Sequence, residues 1–343
     1  MAARPTISDL ARAAGVSVAT VDRVLNGRHP VREETARRVY EAAHAIGYHA
    51  TALIRQRLQE DLPRFKLGFV LQKERHEFYQ NFGREAQEAV RTAAGIRGEA
   101  RVHYLTTQSP GEMAEEISAA AVRCQAVAVT AIDHHLVTQA VQAAKAQGVP
   151  VFSLLNDFAQ GVRESYVGLN NIKVGRTAAW MIAKGAKRPG KVAIFVGGHR
   201  WHGHQLRETG FRSYFREYAP EFTVLDTLVN LETRQLTYEA TLDLLTRHPD
   251  IAGFYCAGGG MEGAITALRE ESRAGRLEVV VNELTSESRL GLSERLVSLV
   301  IGTPLAQLCR QLVALMVAAI RNGPSGTPGQ LFLPFDLFSS ESI

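Results

Sequence analysis

Residues Thr6–Tyr48 read TISDLARAAGVSVATVDRVLNGRHPVREETARRVYEAAHAIGY, a spacing that predicts helix, turn, helix, turn, helix. Ile7, Leu10, Ala11 and Ala14 recur at helical intervals, Gly15 breaks the run, and Ser17 stands where a side chain caps the next helix by accepting an orphan N–H bond. Val18, Val21, Val24 and Leu25 mark the second helix, which stops at Asn26-Gly27. The third runs from about Glu33 to Ile46 and ends at Gly47, a residue suited to a left-handed cap. A small residue at Ala11, a turn glycine at Gly15 and apolar locks at Val21 and Val24 are what a tight pair of helices requires. Polar Ser17 and Thr20 beside Arg23 are not needed for a bundle; they suit a recognition helix in a DNA major groove.

Outward from this head, charge separates the chain into two parts. Residues 1–66 hold eleven Lys/Arg against seven Asp/Glu, whereas residues 67–343 hold twenty-eight of each, so the whole net charge of +4 lies in the first part. Such asymmetry suits a polyanion partner for the head. With 343 residues, 45% apolar and 22% charged, the composition excludes disordered, collagenous and disulfide-framework classes. The longest useful apolar stretch, Leu312 to Ile320, is nine residues, short of a membrane span of roughly 18 or more. No apolar signal core opens the chain, so the expected location is the cytoplasm with no membrane partner. Cys124, Cys256 and Cys309 stand far apart in apolar surroundings and read as buried thiols.

From Lys66 onward, short β-rich runs alternate with amphipathic helices. Strands are expected at Leu67–Leu71, Val102–Leu105, Ala126–Ala131, Val149–Leu155, Val192–Val196, Phe222–Val229, Ile251–Cys256, Leu277–Val281, Leu299–Ile301 and Leu331–Phe338. The alternation implies parallel sheets covered on both faces, with enough chain for two, and a ligand beyond the carboxyl ends of their strands.

The quoted head closely resembles that of the lactose-repressor (LacI) family of bacterial transcription regulators. The resemblance implies that Val18 and Ala19 face base edges, apolar contact to thymine methyls being their natural chemistry, and that Arg23 reaches a guanine. It assigns Thr6, Ser17, Thr20 and Asn26 to phosphates, contacts that set register without reading sequence. Asp22 stands where the family usually has Ser; it either pairs with Arg23, accepts from cytosine, or is tolerated. Arg32 replaces the common capping Ser of the third helix, with Glu33 and Glu34 offsetting the loss through the helix dipole. The family's hinge leucine, nine residues after the tyrosine seen here as Tyr48, is replaced by Arg57. Leu53 and Leu58 are its apolar neighbours, so a minor-groove wedge is either shifted, with Leu58 the candidate, or missing, while Arg55 and Arg57 serve phosphates.

The body resembles the family's effector domain, similar to periplasmic sugar-binding proteins. The implied fold class is α/β: an all-α helix-turn-helix head (1–49), a hinge (50–65) and a two-lobed body with two parallel sheets (66–343). Lobe one is expected at about 66–168 plus 304–327 and lobe two at 171–301 plus 328–343. PVFSLLND ends at Asn156-Asp157, YVGLNNIKVGRTAA resembles the crossover between lobes, GGHRWHGHQLRETGF carries Arg207 at the ligand-contacting arginine position, and VVVNELTSESR places Glu283 where the family has an acid. Carboxylate and amide acceptors with a guanidinium fork suit a sugar, polyol or sugar acid. Arg207 and Glu283 alternatively form an ion pair across the cleft. Trp201 either stacks on a sugar or packs, and Phe78 and Tyr79 either cover the ligand or pack within their lobe.

A competing reading is a nicotinamide-dependent oxidoreductase: Gly258, Gly260 and Gly263 spell G-x-G-x-x-G between a strand and a helix, with Glu283 twenty residues on. A phosphorylated effector is a further option for that loop. His199, His202 and His204 cluster without a zinc framework, so no metal or cofactor is expected. The sequence therefore points to a homodimeric regulator, a repressor rather than an enzyme. It would bind double-stranded operator DNA through its head and a small effector between its lobes, closure changing the DNA-competent population. A plain sugar-binding transport protein would lack the basic head.

Overall fold

Val18, apolar yet 45% exposed, and Leu10, wholly buried, show how the first helices divide their faces. The computed structural model describes residues 4–26, 31–54, 62–273 and 275–343, without the Glu33 side chain, and it separates into two units. The residues described up to Phe65, with Ala93–Gly98, form one; Lys66–Thr92 with Glu99 onward form the other.

In the first unit, α1 (Ile7–Ala14), α2 (Val18–Asn26) and α3 (Glu33–Ala45) enclose a core of Leu10, Ala11, Val21, Val24, Val39, Ala43, Tyr48 and Ile54. Thr6 and Asp9 make a capping box at α1, and Gly15 closes it in the left-handed conformation at φ 65°. Ser17 Oγ accepts from the Thr20 N–H at 3.2 Å, so it caps α2 as its position implies. Arg32 makes no side-chain cap at α3. The far end closes by a Schellman pair: Gly47 N–H donates to His44 O and Tyr48 N–H to Ala43 O.

One sheet, lying in the second unit but for the first two residues of β1 and of β2, contains β1 (Arg64–Gln72), β2 (Arg97–Leu105), β3 (Ala126–Val129), β4 (Val151–Leu154), β5 (Ser165–Leu169) and β12 (Gly329–Leu333), in the order β12-β5-β4-β3-β1-β2. The other contains β6 (Lys191–Val196), β7 (Thr223–Val224), β8 (Leu228–Val229), β9 (Ile251–Cys256), β10 (Glu278–Asn282), β11 (Leu299–Gly302) and β13 (Asp336–Phe338). Its order is β13-β11-β10-β9-β6-β7, with β8 also on β6. Helices α4 (Glu77–Thr92), α5 (Pro110–Arg123) and α6 (His135–Ala146) join the first set of strands. Helices α7 (Asn171–Gly185), α8 (His202–Tyr218), α9 (Arg234–Arg247), α10 (Met261–Glu270) and α11 (Ser286–Ser293) join the second, and α12 (Leu305–Asn322) packs against α4. Strands such as β3, β4, β5 and β11 are buried at every residue, as sheets covered on both faces require. The three cysteines are buried and free. No helix among the described residues is long and apolar enough to cross a membrane.

Two expected strands are each divided. Phe222–Val229 breaks into β7 and β8, both pairing with β6. The strand expected at Leu331–Phe338 breaks at Pro334-Phe335: β12 lies beside β5 in the first lobe and only β13 belongs to the second. Residues up to Leu333 therefore leave the second lobe, contrary to the expected boundary at 328. A further strand, β5, lies within the segment read as a crossover. The second sheet is also not wholly parallel, since β13 runs antiparallel to β11. The chain leaves this lobe along β11 and re-enters through the same end, so the returning strand must run the other way.

Candidate functional site

Three passages link the lobes: Leu169 to Asn171, Gly302 to Leu305, and Leu333 to Asp336. Between the lobes lies a small, partly open cavity. Its walls come from the carboxyl ends of the strands: Lys73 and His76 after β1, Thr130 after β3, Leu155 and Asn156 after β4, Glu232 after β8, Gly258 and Gly259 after β9, and Asn282 and Glu283 at the end of β10. Of the residues expected to hold the effector, Phe78, Tyr79, Asn156, Trp201, Arg207, Gly258 and Glu283 all line this cavity. Lys73, Leu155, Glu232 and Glu283 have φ of 40°, 61°, 54° and 70°. Left-handed non-glycine residues gathered around one cavity mark a site where side-chain placement outweighs backbone strain.

Asp157 does not line it. The carboxylate is buried and accepts both Nε and Nη2 of Arg163, the latter at 2.8 Å, with Ser153, Gln160 and Gln330 as further donors. Arg163 also donates Nη1 to Gly329 O at 2.7 Å. Just past β4, Leu155 and Asn156 face the cavity, and the next residue turns into the lobe toward an arginine.

Arg207 is buried on α8, donating Nε to Asn171 Oδ1 at 2.7 Å and Nη1 to Ala257 O at 2.6 Å. Asn171 is the first residue of α7, just past a passage between lobes, and its Nδ2 donates to Tyr166 Oη. Among the described residues no hydrogen bond joins the Arg207 Nη2. No direct Arg207–Glu283 ion pair forms. Glu283 instead accepts from Thr303 N–H at 2.9 Å and Thr303 Oγ1 at 2.7 Å. Burial pushes its carboxyl up, opposed by those bonds and by Arg207.

Asn156 spans the lobes, donating to Ala131 O and accepting from Gly203 N–H at 2.7 Å. Trp201 lines the cavity and also joins the first-lobe core around Ile132 and Phe158, so packing accounts for most of its ring. Phe78 packs edge-on against Tyr79 and Phe82. Burial, with Glu232 and Glu283 nearby, raises the Tyr79 hydroxyl pKa, keeping it a neutral donor. Thr130 Oγ1 is buried without a hydrogen-bond partner, as is Gln72 Oε1, whose amide nitrogen donates to Thr130 O. Of the two, only Thr130 lines the cavity, where its unpartnered hydroxyl suits a ligand's hydroxyl.

His204 and Glu232 carry strongly displaced pKa values. His204 Nδ1 accepts from Gly197 N–H at 3.0 Å, and burial lowers the ring to about 4, with Glu232 acting against the shift. Burial raises Glu232, but Lys73, His204 and the Gly259 N–H together outweigh it and bring the carboxylate to about 2. A histidine held neutral in the fold binds its proton more readily when unfolded. Its contribution is therefore complete above pH 6.5 and is lost as pH falls toward 4, roughly 3 kcal/mol in all. Urea unfolding between pH 7 and 4 should show this loss in the native chain and a smaller one in His204→Gln; equal slopes would remove His204 as the cause.

The glycines of the motif are packed against their own lobe. A Cβ on Gly258 would strike the His204 ring, one on Gly260 Thr237, and one on Gly263 the Arg234 carbonyl. These glycines let neighbouring elements of the same lobe approach, which accounts for the motif without a pyrophosphate. Among the described residues no group of three or more potential metal ligands forms.

In the head, Ser17, Val18, Ala19, Arg23 and Asn26 share the exposed side of α2 while Val21 and Val24 are buried, and Thr20 is half-buried. Thr6 is exposed but bonds Asp9 through both Oγ1 and N–H. Asp22 accepts from Asn26 Nδ2 at 2.7 Å, one turn on, rather than pairing with Arg23. Arg55, Arg57 and Leu58 lie outside the described residues.

Residues 6–51 match the description "Bacterial regulatory proteins, lacI family", and residues 67–324 match "Periplasmic binding protein domain". The HTH-type transcriptional regulator GntR of Pseudomonas aeruginosa is 26% identical over 273 residues, covering 78% of this chain and 75% of that protein. The catabolite control protein A of Streptococcus mutans is 48% identical over 50 residues, 15% of each chain. A solute-binding protein of an ABC transporter from Agrobacterium vitis, solved with α-D-tagatopyranose, superposes with a TM-score of 0.73 at 20% identity, covering 81% of this chain and 95% of that one. With a reader helix exposed on a three-helix head and a binding-protein body carrying a cavity between its lobes, the chain belongs to the LacI family of DNA-binding transcriptional regulators.

Proposed function

We propose that this regulator is a cytoplasmic homodimeric repressor, not an enzyme, released from its operator by a sugar or polyol held between the lobes. The observation that carries the effector reading is the convergence of Tyr79, Asn156, Arg207 and Glu283 on one cavity beside the unpartnered Thr130 hydroxyl. Arg207 Nη2 offers a fork edge to vicinal oxygens and Glu283 accepts hydroxyl protons. The lining holds two cations, Lys73 and Arg207, against two carboxylates, Glu232 and Glu283, and the Lys73 ammonium is already paired with Glu232. That balance favours an uncharged polyhydroxylated ligand over a sugar acid or a phosphosugar. The Agrobacterium vitis relative, solved with a ketohexose, supports the same chemistry. Dimerisation follows from the head, because one such module reads only half a site.

A thermal-shift panel of neutral sugars, polyols, sugar acids, phosphosugars and NAD tests this reading, followed by operator anisotropy with each binder. Neutral sugars or polyols should give the largest shifts and weaken operator binding; a largest shift from NAD would overturn it. Sedimentation of the free chain should give a dimer.

For the head, Arg23 is exposed on α2 and Asp22 is occupied by Asn26, so the guanidinium has no acid beside it competing for its fork. Arg23→Ala should weaken specific operator binding by about 1 to 3 kcal/mol and relax discrimination at one base pair. Unchanged affinity and sequence preference would exclude Arg23 from base readout.

A further inference from the structure

The lobes are joined across the cavity rim as well as at their three covalent passages. Glu232, on the loop between β8 and α9, aims its carboxylate at the opposite lobe. Oε2 accepts from Lys73 Nζ at 3.3 Å and from Gln108 Nε2 at 3.0 Å, both of the first lobe. Lys73 Nζ also donates to the Glu232 backbone carbonyl at 2.9 Å. Within its own lobe, Glu232 Oε1 accepts from Gly259 N–H at 3.3 Å, with His204 Nε2 at 3.7 Å. The backbone is bent to make this possible: Lys73 at φ 40° on one side, and Leu231 at 50° and Glu232 at 54° on the other, all occupy the left-handed region. Two further contacts cross between the lobes, His76 with Glu262 at 3.3 Å and Ser286 N–H with Glu77 Oε2 at 2.9 Å.

We propose that Lys73 and Glu232 are positioning residues that form an interlobe latch, holding the lobes closed around the cavity and so setting the effector's affinity through the closed population. The inference about affinity rests on the effector reading above; the latch itself does not. A surface ion pair of this separation contributes little. Here the glutamate side chain is only 11% exposed, has its remaining oxygen satisfied, and reaches the other lobe from a strained loop. Removing Lys73 therefore leaves a largely buried carboxylate short of its cation, and opening toward water relieves it. Ligand affinity scales with the fraction of competent, closed protein.

Backbone N–H groups that donate across the lobes report opening directly: Ser286 to Glu77, Gly203 to Asn156, and Asp133 to Arg200 O. Hydrogen exchange of the full-length chain, native, Lys73→Met, Glu232→Gln and the double variant, tests the latch without any ligand. Each single variant should speed exchange at those three amides about tenfold or more, with β3 and β10 amides unchanged. The double variant should go no further than the faster single. Unchanged exchange at the three amides, equal acceleration in the core strands, acceleration confined to Gly259, or additive effects in the double variant would each overturn the proposal. If the latch holds and no sugar binds at any concentration, the effector reading fails alone.

Discussion

Arg207→Ala protein should bind its operator with native affinity and no longer release it at any concentration of an effector found in the panel. The expected loss of effector affinity is about 3 to 5 kcal/mol, at least two orders of magnitude, because a charge-assisted donor pair disappears from a dry site. The same side chain also braces Asn171, at a passage between lobes, and the Ala257 carbonyl before the glycine loop. Its removal therefore loosens the wall that the ligand must meet. Lysine is no substitute: a single ammonium cannot reach the Asn171 amide and the Ala257 carbonyl while still presenting a flat edge to vicinal oxygens. Calorimetry with the panel's best binder and operator anisotropy with that ligand supply both measurements. A variant that still releases DNA at the native ligand concentration would place the effector elsewhere.

Asp157→Ala should do the opposite, costing about 3 to 5 kcal/mol of stability in the body while leaving effector affinity near native in whatever protein stays folded. Arg163 would remain with its side chain 3% exposed, its charge unmatched and its contact to Gly329 no longer tensioned from the other side. Asp157→Asn should be nearly as severe, since the amide keeps the shape but leaves the buried Arg163 without its countercharge. Urea titration measures the stability and calorimetry the affinity. Native stability with lost effector binding would restore Asp157 to the cavity.

The head was legible because a helical repeat and a turn glycine constrain nearly every position: Ala11, Gly15, Val21 and Val24 are where a tight helix pair needs them. The cavity was legible where a strand's end could be placed from its apolar run, as with Asn156 and Glu283. It was obscure where the ligand side comes from a loop. Glu232 follows β8, two residues long and half of what reads as one strand, and nothing in its neighbours' pattern announces a carboxylate turned toward the other lobe. Lys73 and Thr130 lie one residue beyond β1 and β3, where a polar residue reads as ordinary turn chemistry. His204 was visible only as one of three clustered histidines, and its partners, Gly197 and Glu232, are set by packing. Asp157 misled for the reverse reason: next to a cavity residue in sequence, it faces away in space, and its arginine stands six positions later with no local signal.

The division of the last strand at Pro334-Phe335 has a mechanical consequence. From Leu333 in one sheet to Asp336 in the other the chain can extend at most about 10 Å. So short a tether, repeated at the other two passages, forbids the halves from drifting apart or sliding. Whatever travel the molecule makes is a swing about a fixed spine, as a book opens.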